Sequence, residues 1–263
     1  DLQVVGLWNR TARDVDPRLC SLPVHSGTPR PPRDVLDRAD VLLLALPDTL
    51  LEDFAGSLPA RPGTAVLHLS GSLDSSCLTG LPPGVHRGCY HPLQAFRAGS
   101  SAAVDPPPYC VAVEGDPHAL SAARALAAAT GHPCVEIAPG GKAAYHAAAV
   151  LASNCLVALQ DTACRVLGLA GVQGEDRWKL LWPLVVGTLG NLKDGRFAEA
   201  ITGPVSRGDA STVRRNLEAI GQDPGATEIY RLLGLASLEL AAGGRLDSSL
   251  VDKVRAALAE GCD

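Results

Sequence analysis

Val41-Leu42-Leu43-Leu44-Ala45-Leu46, stopped by Pro47-Asp48, decides the fold. Six apolar residues without polar alternation fit a strand buried on both faces of a parallel sheet. Similar runs lie on either side. Leu2–Trp8 ends at Asn9-Arg10-Thr11, Ala65–Leu69 at Ser70-Gly71 and Val85–Tyr90 at His91-Pro92. Tyr109–Glu114 and Val135–Ile137 close the series. Between the runs, Arg33–Ala39, Leu50–Leu58 and a segment from Asp116-Pro117 to Ala129 read as helices, and the Pro- and Arg-rich 29–33 as a surface loop. Strand–helix alternation of this kind marks an open, mostly parallel α/β sheet.

The pattern changes at Pro139-Gly140-Gly141. Lys142–Leu167 is Ala-rich, lacks Pro and Gly, and predicts one long helix. Helices follow over 176–192, 209–220, 227–242 and 248–260, with Asp209 placed to cap one and Gly243 to end another. The expected organisation is therefore an α/β domain over 1–139 and an all-helical domain over 140–263.

Composition narrows the function. Of 263 residues, 46% are apolar and 19% charged, which supplies a core and argues against disorder. A net charge of −5 without a basic run argues against a nucleic-acid partner. Purely apolar runs such as Val41–Leu46 fall short of the roughly 20 residues of a membrane span. The cysteines at 20, 77, 89, 110, 134, 155, 164 and 262 form no CxxC pair, and Cys110, Cys134 and Cys155 sit in apolar stretches. This predicts buried, reduced thiols in a cytoplasmic protein, with no metal site. The chain has no Met and opens directly in an apolar run, so an N-terminal piece is expected to precede it.

In open parallel sheets, ligands bind beyond the carboxyl ends of the strands. Four such ends are Asn9-Arg10-Thr11, the 45–48 turn, Ser70-Gly71 and His91-Pro92. The first offers an Arg and no acid, as suits a ribose 2′-phosphate; otherwise it is an ordinary polar turn. The usual GxGxxG is missing; it would lie just before residue 1. Lys142 and His146 share a helix face and would point into one cleft, where an ammonium polarises a carbonyl or donates a proton and an imidazole shuttles it. Ser153 falls near that face about 10 Å from His146 along the axis, and Asn154 is turned off the stripe. His91 could orient substrate or cofactor. Arg207, in the compact turn 203–209, could reach a carboxylate, while Asp209 reads as a cap. The structural alternatives are a solvated Lys142, a hydrogen-bonded interface His146 and a Pro-fixed bend at His91.

The strings Tyr90-His91-Pro92-Leu93-Gln94, 142–154 (KAAYHAAAVLASN) and 202–209 (TGPVSRGD) resemble those of a widespread bacterial group. Its members join a Rossmann-like NADP-binding domain to a helical domain of unknown function. The group is similar in architecture to pyrroline-5-carboxylate reductase, ketopantoate reductase and the 6-phosphogluconate dehydrogenase superfamily, whose C-terminal helical domain it shares. In that superfamily the first helix of the second domain carries a Lys and, four residues on, an Asn. Lys142 matches the Lys, and His146 stands where the Asn would be.

The resemblance implies NADP bound by Asn9, Arg10 and Thr11, by Ala45, Leu46 and Pro47, and by Ser70 and Gly71 at the nicotinamide. Lys142, His146 and His91 become the candidate catalytic residues, and Arg207 and Asn154 the candidate substrate-binding ones. It further implies a homodimer through the helical domain. The reading is an NADP-dependent oxidoreductase acting on a small carbonyl or imine acid. The alternative is a dinucleotide-binding sensor or assembly protein without turnover, which His146 in place of Asn favours.

Overall fold

The computed structural model describes residues 2–11, 21–96, 108–243 and 246–260. Cys20 and Cys262 lie outside them. The chain divides into two compact units, Asp1–Asn154 and Cys155–Asp263.

The first unit is the α/β part. Strand β1 (Leu7–Asn9) pairs in parallel with β2 (Val24–Ser26). A five-stranded sheet follows in the order β3 (Val41–Leu44), β4 (Ala65–His68), β5 (His86–Leu93), β6 (Cys110–Gly115) and β7 (Cys134–Glu136). Neighbours run parallel except β5 and β6, which pair antiparallel from Gly88↔Gly115 to Leu93↔Cys110. Strand β4 is fully buried, as its unbroken Ala-Val-Leu run requires. Helix α1 (Arg33–Arg38) precedes β3, and α2 (Asp48–Ser57) starts at Pro47, whose fixed φ suits a helix entry. Helix α3 (Pro117–Ala129) is capped by Asp116, which accepts from the His118 and Ala119 amides.

Two cores flank the sheet. One gathers Leu36, Leu44, Leu51, Leu58, Val66 and Leu78. The other packs Leu67, Tyr90, Val111 and Val113 against a seam of Ala119, Ala123 and Ala127 on α3. Trp8 of β1 stacks on Phe54 of α2 with centroids 5.7 Å apart.

The Lys142–Leu167 stretch is not one helix. Helix α4 (Lys142–Ala152) ends at Ser153, whose φ of −121° and ψ of −74° break the ladder, and α5 (Asn154–Leu169) resumes. Ser and Asn compete for backbone hydrogen bonds and favour helix ends, which is the only local reason for the break. By length and composition the 28 residues Lys142–Leu169, at a mean hydropathy of 1.3, are apolar enough to cross a membrane. The stretch includes Lys142, Asp161 and Arg165, so it is not one of the purely apolar runs weighed in the sequence. Against a span stand the break at Ser153 and the bonds that tie the first turn of α4 to the sheet of the same unit.

The second unit is helical: α5, α6 (Asp176–Asn191), the short α7 (Phe197–Ala200), α8 (Ala210–Ile220), α9 (Pro224–Ala242) and α10 (Ser248–Ala259). Its core is Val213, Leu217, Leu238, Val254 and Leu258 on α8, α9 and α10. Asp209 caps α8, accepting from the Thr212 amide. Helix α6 buries no residue and exposes Leu180 and Leu184 by 60% and 67%. The six described cysteines are free. Burial, however, holds for Cys89 alone; Cys110 and Cys155 are exposed, Cys110 because it opens β6 and Cys155 because it lies on an uncovered helix.

Candidate functional site

The site is built where β4 ends. His68, its last residue, lies opposite Cys89 of β5. Strand β5 continues past that end, so its His91 reaches the Ser70-Gly71 turn. Successive side chains of a strand alternate faces, so Cys89 and His91 share one. Helix α4 meets them with Lys142, Tyr145 and His146, which its three- and four-residue spacing places together.

The turn itself is pinned. Ser70 Oγ donates to Asp48 Oδ2 at 2.9 Å and accepts from the Ser72 and Leu73 amides. Ser72 Oγ donates to the same carboxylate oxygen at 2.7 Å. The Ser70 amide donates to His68 Nδ1 at 3.2 Å.

Lys142 is 2% exposed. Its Nζ donates to the Ser70 carbonyl at 2.9 Å and to Cys89 Sγ at 3.1 Å, and it lies 5.1 Å from the Tyr145 ring centroid. The Cys89 thiol donates in turn to the Ser70 carbonyl at 3.3 Å. A buried cation is costly unless hydrogen-bonded or otherwise compensated, and here a carbonyl, a sulfur and an aromatic face do so.

Above this layer, His91 Nδ1 and the Tyr145 hydroxyl are 2.7 Å apart, with the rings edge to face. A Cβ on Gly71 would sit 2.9 Å from both His91 Nε2 and His146 Nδ1, so only glycine leaves the two imidazoles room. His146 Nδ1 is buried without a hydrogen-bond partner in the protein. Burial, aided by the charge of Lys142, pushes His91 down to about 4 and His68 to about 4. Burial pushes the Tyr145 phenol up to about 12. At neutral pH His91 and Tyr145 are thus uncharged.

The structure brings together five of the expected residues: Lys142, His146, His91, Ser70 and Gly71. Lys142, however, faces inward, its amine held by protein atoms. Asn9, Arg10 and Thr11 are exposed at the end of β1, and Ala45 and Pro47 are exposed beside half-buried Leu46 at the end of β3. Asn154 is exposed at the start of α5. Arg207 is an exposed residue of a 3-10 turn, Val205–Arg207, in the second unit. Sequence reasoning missed Tyr145, Cys89, His68 and Asp48. Tyr145 had a signal, because it is three residues from Lys142 on the same helix face, and so did Cys89, two residues from His91 in a strand. Asp48 had none.

A nicotinamide dinucleotide would find part of its binding set at these strand ends. Arg10 is an exposed cation at one strand end, and Gly71 presents bare backbone at another. No GxGxxG occurs in the sequence to hold the diphosphate.

A sheet of this order with helices to either side, and a polar cluster at the carboxyl end of a central strand, defines a Rossmann-like protein followed by a helical region. Residues 109–237, from β6 into α9, match the model of a family described as a domain of unknown function, DUF2520. The match covers just under half of the chain and begins within the sheet, at β6. The crystal structure of protein TM1727 from Thermotoga maritima is 25% identical, with 86% of this chain and 85% of that one covered at a TM-score of 0.70. BF3122 from Bacteroides fragilis, described provisionally as an NADP oxidoreductase, is 19% identical over 90% and 89% of the two chains, at 0.66. The reductive aminase of Aspergillus terreus, in complex with NADPH and ethyl levulinate, is 17% identical over 94% and 89%, at 0.58. No curated protein matches the chain by sequence.

Proposed function

We propose that the protein is an NADP-dependent oxidoreductase that reduces a small carbonyl or imine compound bearing an acid group. One observation carries this reading: His91, Tyr145 and His146 converge over a glycine at the carboxyl end of β4, the rim where Rossmann-like sheets take their ligands. The fold likeness to NADPH-binding proteins supports it. Arg10 at the end of β1, flanked in sequence by Asn9 and Thr11, favours the phosphorylated nucleotide.

A bound nicotinamide supplies a hydride to the substrate carbon. The chain's own residues bind and hold the proton. Gly71 lets the two imidazoles approach the backbone, and Asp48 and Lys142 fix the turn that carries it. His91 and His146 bring ring nitrogens to the same point. Arg10, Asn9 and Thr11 hold the 2′-phosphate end, Ala45, Leu46 and Pro47 line the next strand end, and Asn154 serves the substrate's acid group. Helix α6, with apolar side chains exposed along its length, is covered by a second copy, because a monomer rarely leaves so large an apolar face in water. Free thiols suit a reducing compartment, the cytoplasm.

The test is a fluorescence titration of the full chain with NADPH and NADH. The reading predicts tighter binding of NADPH and loss of that preference in Arg10→Ala. The non-catalytic sensor remains the second reading, favoured by His146 where related enzymes carry Asn. It predicts tight NADPH binding with no oxidation over a broad panel of keto acids and cyclic imines.

A further inference from the structure

We propose that His91 and Tyr145 form a proton relay ending at Gly71 that serves a carbonyl substrate, with Lys142 a positioning residue that never meets that substrate. The inference rests on the reductase reading above and sharpens its substrate class.

One imidazole spans the whole path. Its Nδ1 meets the Tyr145 hydroxyl at 2.7 Å, and its Nε2 lies over Gly71, 2.9 Å from where a Cβ would be. His91 is uncharged near neutral pH, since burial and the charge of Lys142 bring it down to about 4. Tyr145 keeps its proton, since burial takes the phenol to about 12. A phenol that donates to Nδ1 leaves the single imidazole proton on Nε2, aimed at the substrate.

The proton balance selects the substrate. When a carbonyl carbon gains hydride, its oxygen becomes an alkoxide, a far stronger base than a phenolate. The alkoxide takes the Nε2 proton, so an O–H bond forms and the Nε2–H bond breaks. Nδ1 takes the Tyr145 proton in the same event. The imidazole ends uncharged with its tautomer exchanged, and the negative charge rests on the Tyr145 phenolate, whose ring lies 5.1 Å from Lys142 Nζ. Water later returns a proton to the phenolate. An imine needs its proton before hydride arrives, and the N–H of a neutral imidazole is too weak an acid to give it.

Lys142 cannot be the donor in this geometry. It is 2% exposed and its Nζ is engaged by the Ser70 carbonyl and Cys89 Sγ. What it does is hold the turn before Gly71 and hold charge beside Tyr145.

The decisive measurement is the ¹⁵N spectrum of the His91 ring in the full chain without ligand. The expected result is one tautomer, protonated at Nε2, which becomes a mixture in Tyr145→Phe. A wild-type ring protonated at Nδ1, donating to the phenol, overturns the relay. In turnover with NADPH, Tyr145→Phe is expected to lower kcat at least tenfold on a keto acid with KM little changed. A matched cyclic imine is expected to be reduced at least tenfold more slowly than the keto acid. Faster imine reduction overturns the carbonyl assignment. Failure to bind NADPH contradicts the parent reading, whereas an Nδ1-protonated ring in a protein that oxidises NADPH contradicts the relay alone.

Discussion

Lys142 Nζ donates to the Ser70 carbonyl at 2.9 Å, tying the first residue of α4 to the turn that follows β4. Replacing the amine by an apolar group of similar length isolates that tie. In Lys142→Met the Ser70 carbonyl keeps only the long bond from the Cys89 thiol. Losing a charged partner to a buried carbonyl costs about 1–3 kcal/mol. Thermal unfolding followed by circular dichroism should show a melting point several degrees lower; an unchanged one contradicts the structural role given to this lysine.

Gly71 is the narrowest point of the site. In Gly71→Ala the new methyl meets two ring nitrogens at 2.9 Å, closer than side chains normally approach, so His91 or His146 must turn away. Both are ends of side chains, so the fold tolerates the change while the ring geometry does not. We expect near-native stability and at least a tenfold loss of NADPH oxidation. Full activity would show that the reacting atoms lie elsewhere.

Much of this was legible in the chain. The apolar runs mark β3 to β7 to within a few residues, but burial on both faces, expected of Val41–Leu46, holds for β4 and not for β3, where Leu43 is 48% exposed at one end of the strand order. Strand β2 escaped, since Val24-His25-Ser26 is short and mixed in polarity. The antiparallel turn of β5 against β6 escaped too, because strand direction leaves no trace in composition. At the site, the spacing of Lys142, Tyr145 and His146 announced a shared face. Which of the three points inward depends on Cys89 and Ser70, far along the chain, and no local pattern reports that. The break at Ser153 had only weak helix formers to mark it.

Acid should destabilise the fold over a defined window. His68 and His91 are uncharged in the folded protein, each brought to about 4 chiefly by burial. In the unfolded chain both take a proton near 6.5. Between those values the unfolded chain binds more protons, so stability falls as pH drops from 6.5 to 4 and levels off below. For fully buried His68 the loss is on the order of 3 kcal/mol. Urea midpoints measured across this range check it, and His68→Gln should flatten the dependence. A midpoint that rises toward acid contradicts the burial of these rings.

The second copy proposed above would rest on the exposed face of α6. Leu180 and Leu184 lie four residues apart on one side of the helix, 60% and 67% exposed. Leu184→Asp should convert a dimer into a monomer in sedimentation experiments while leaving the helical content intact. A wild-type protein that sediments as a monomer removes the second copy from the account.

The most direct test of the central claim is the loss of nicotinamide absorbance when the full chain is given NADPH and a panel of small keto acids and cyclic imines. The account predicts oxidation of NADPH with a keto acid, abolished or cut at least tenfold in Gly71→Ala and His91→Ala. Absence of oxidation across the panel, or oxidation indifferent to both substitutions, would contradict it.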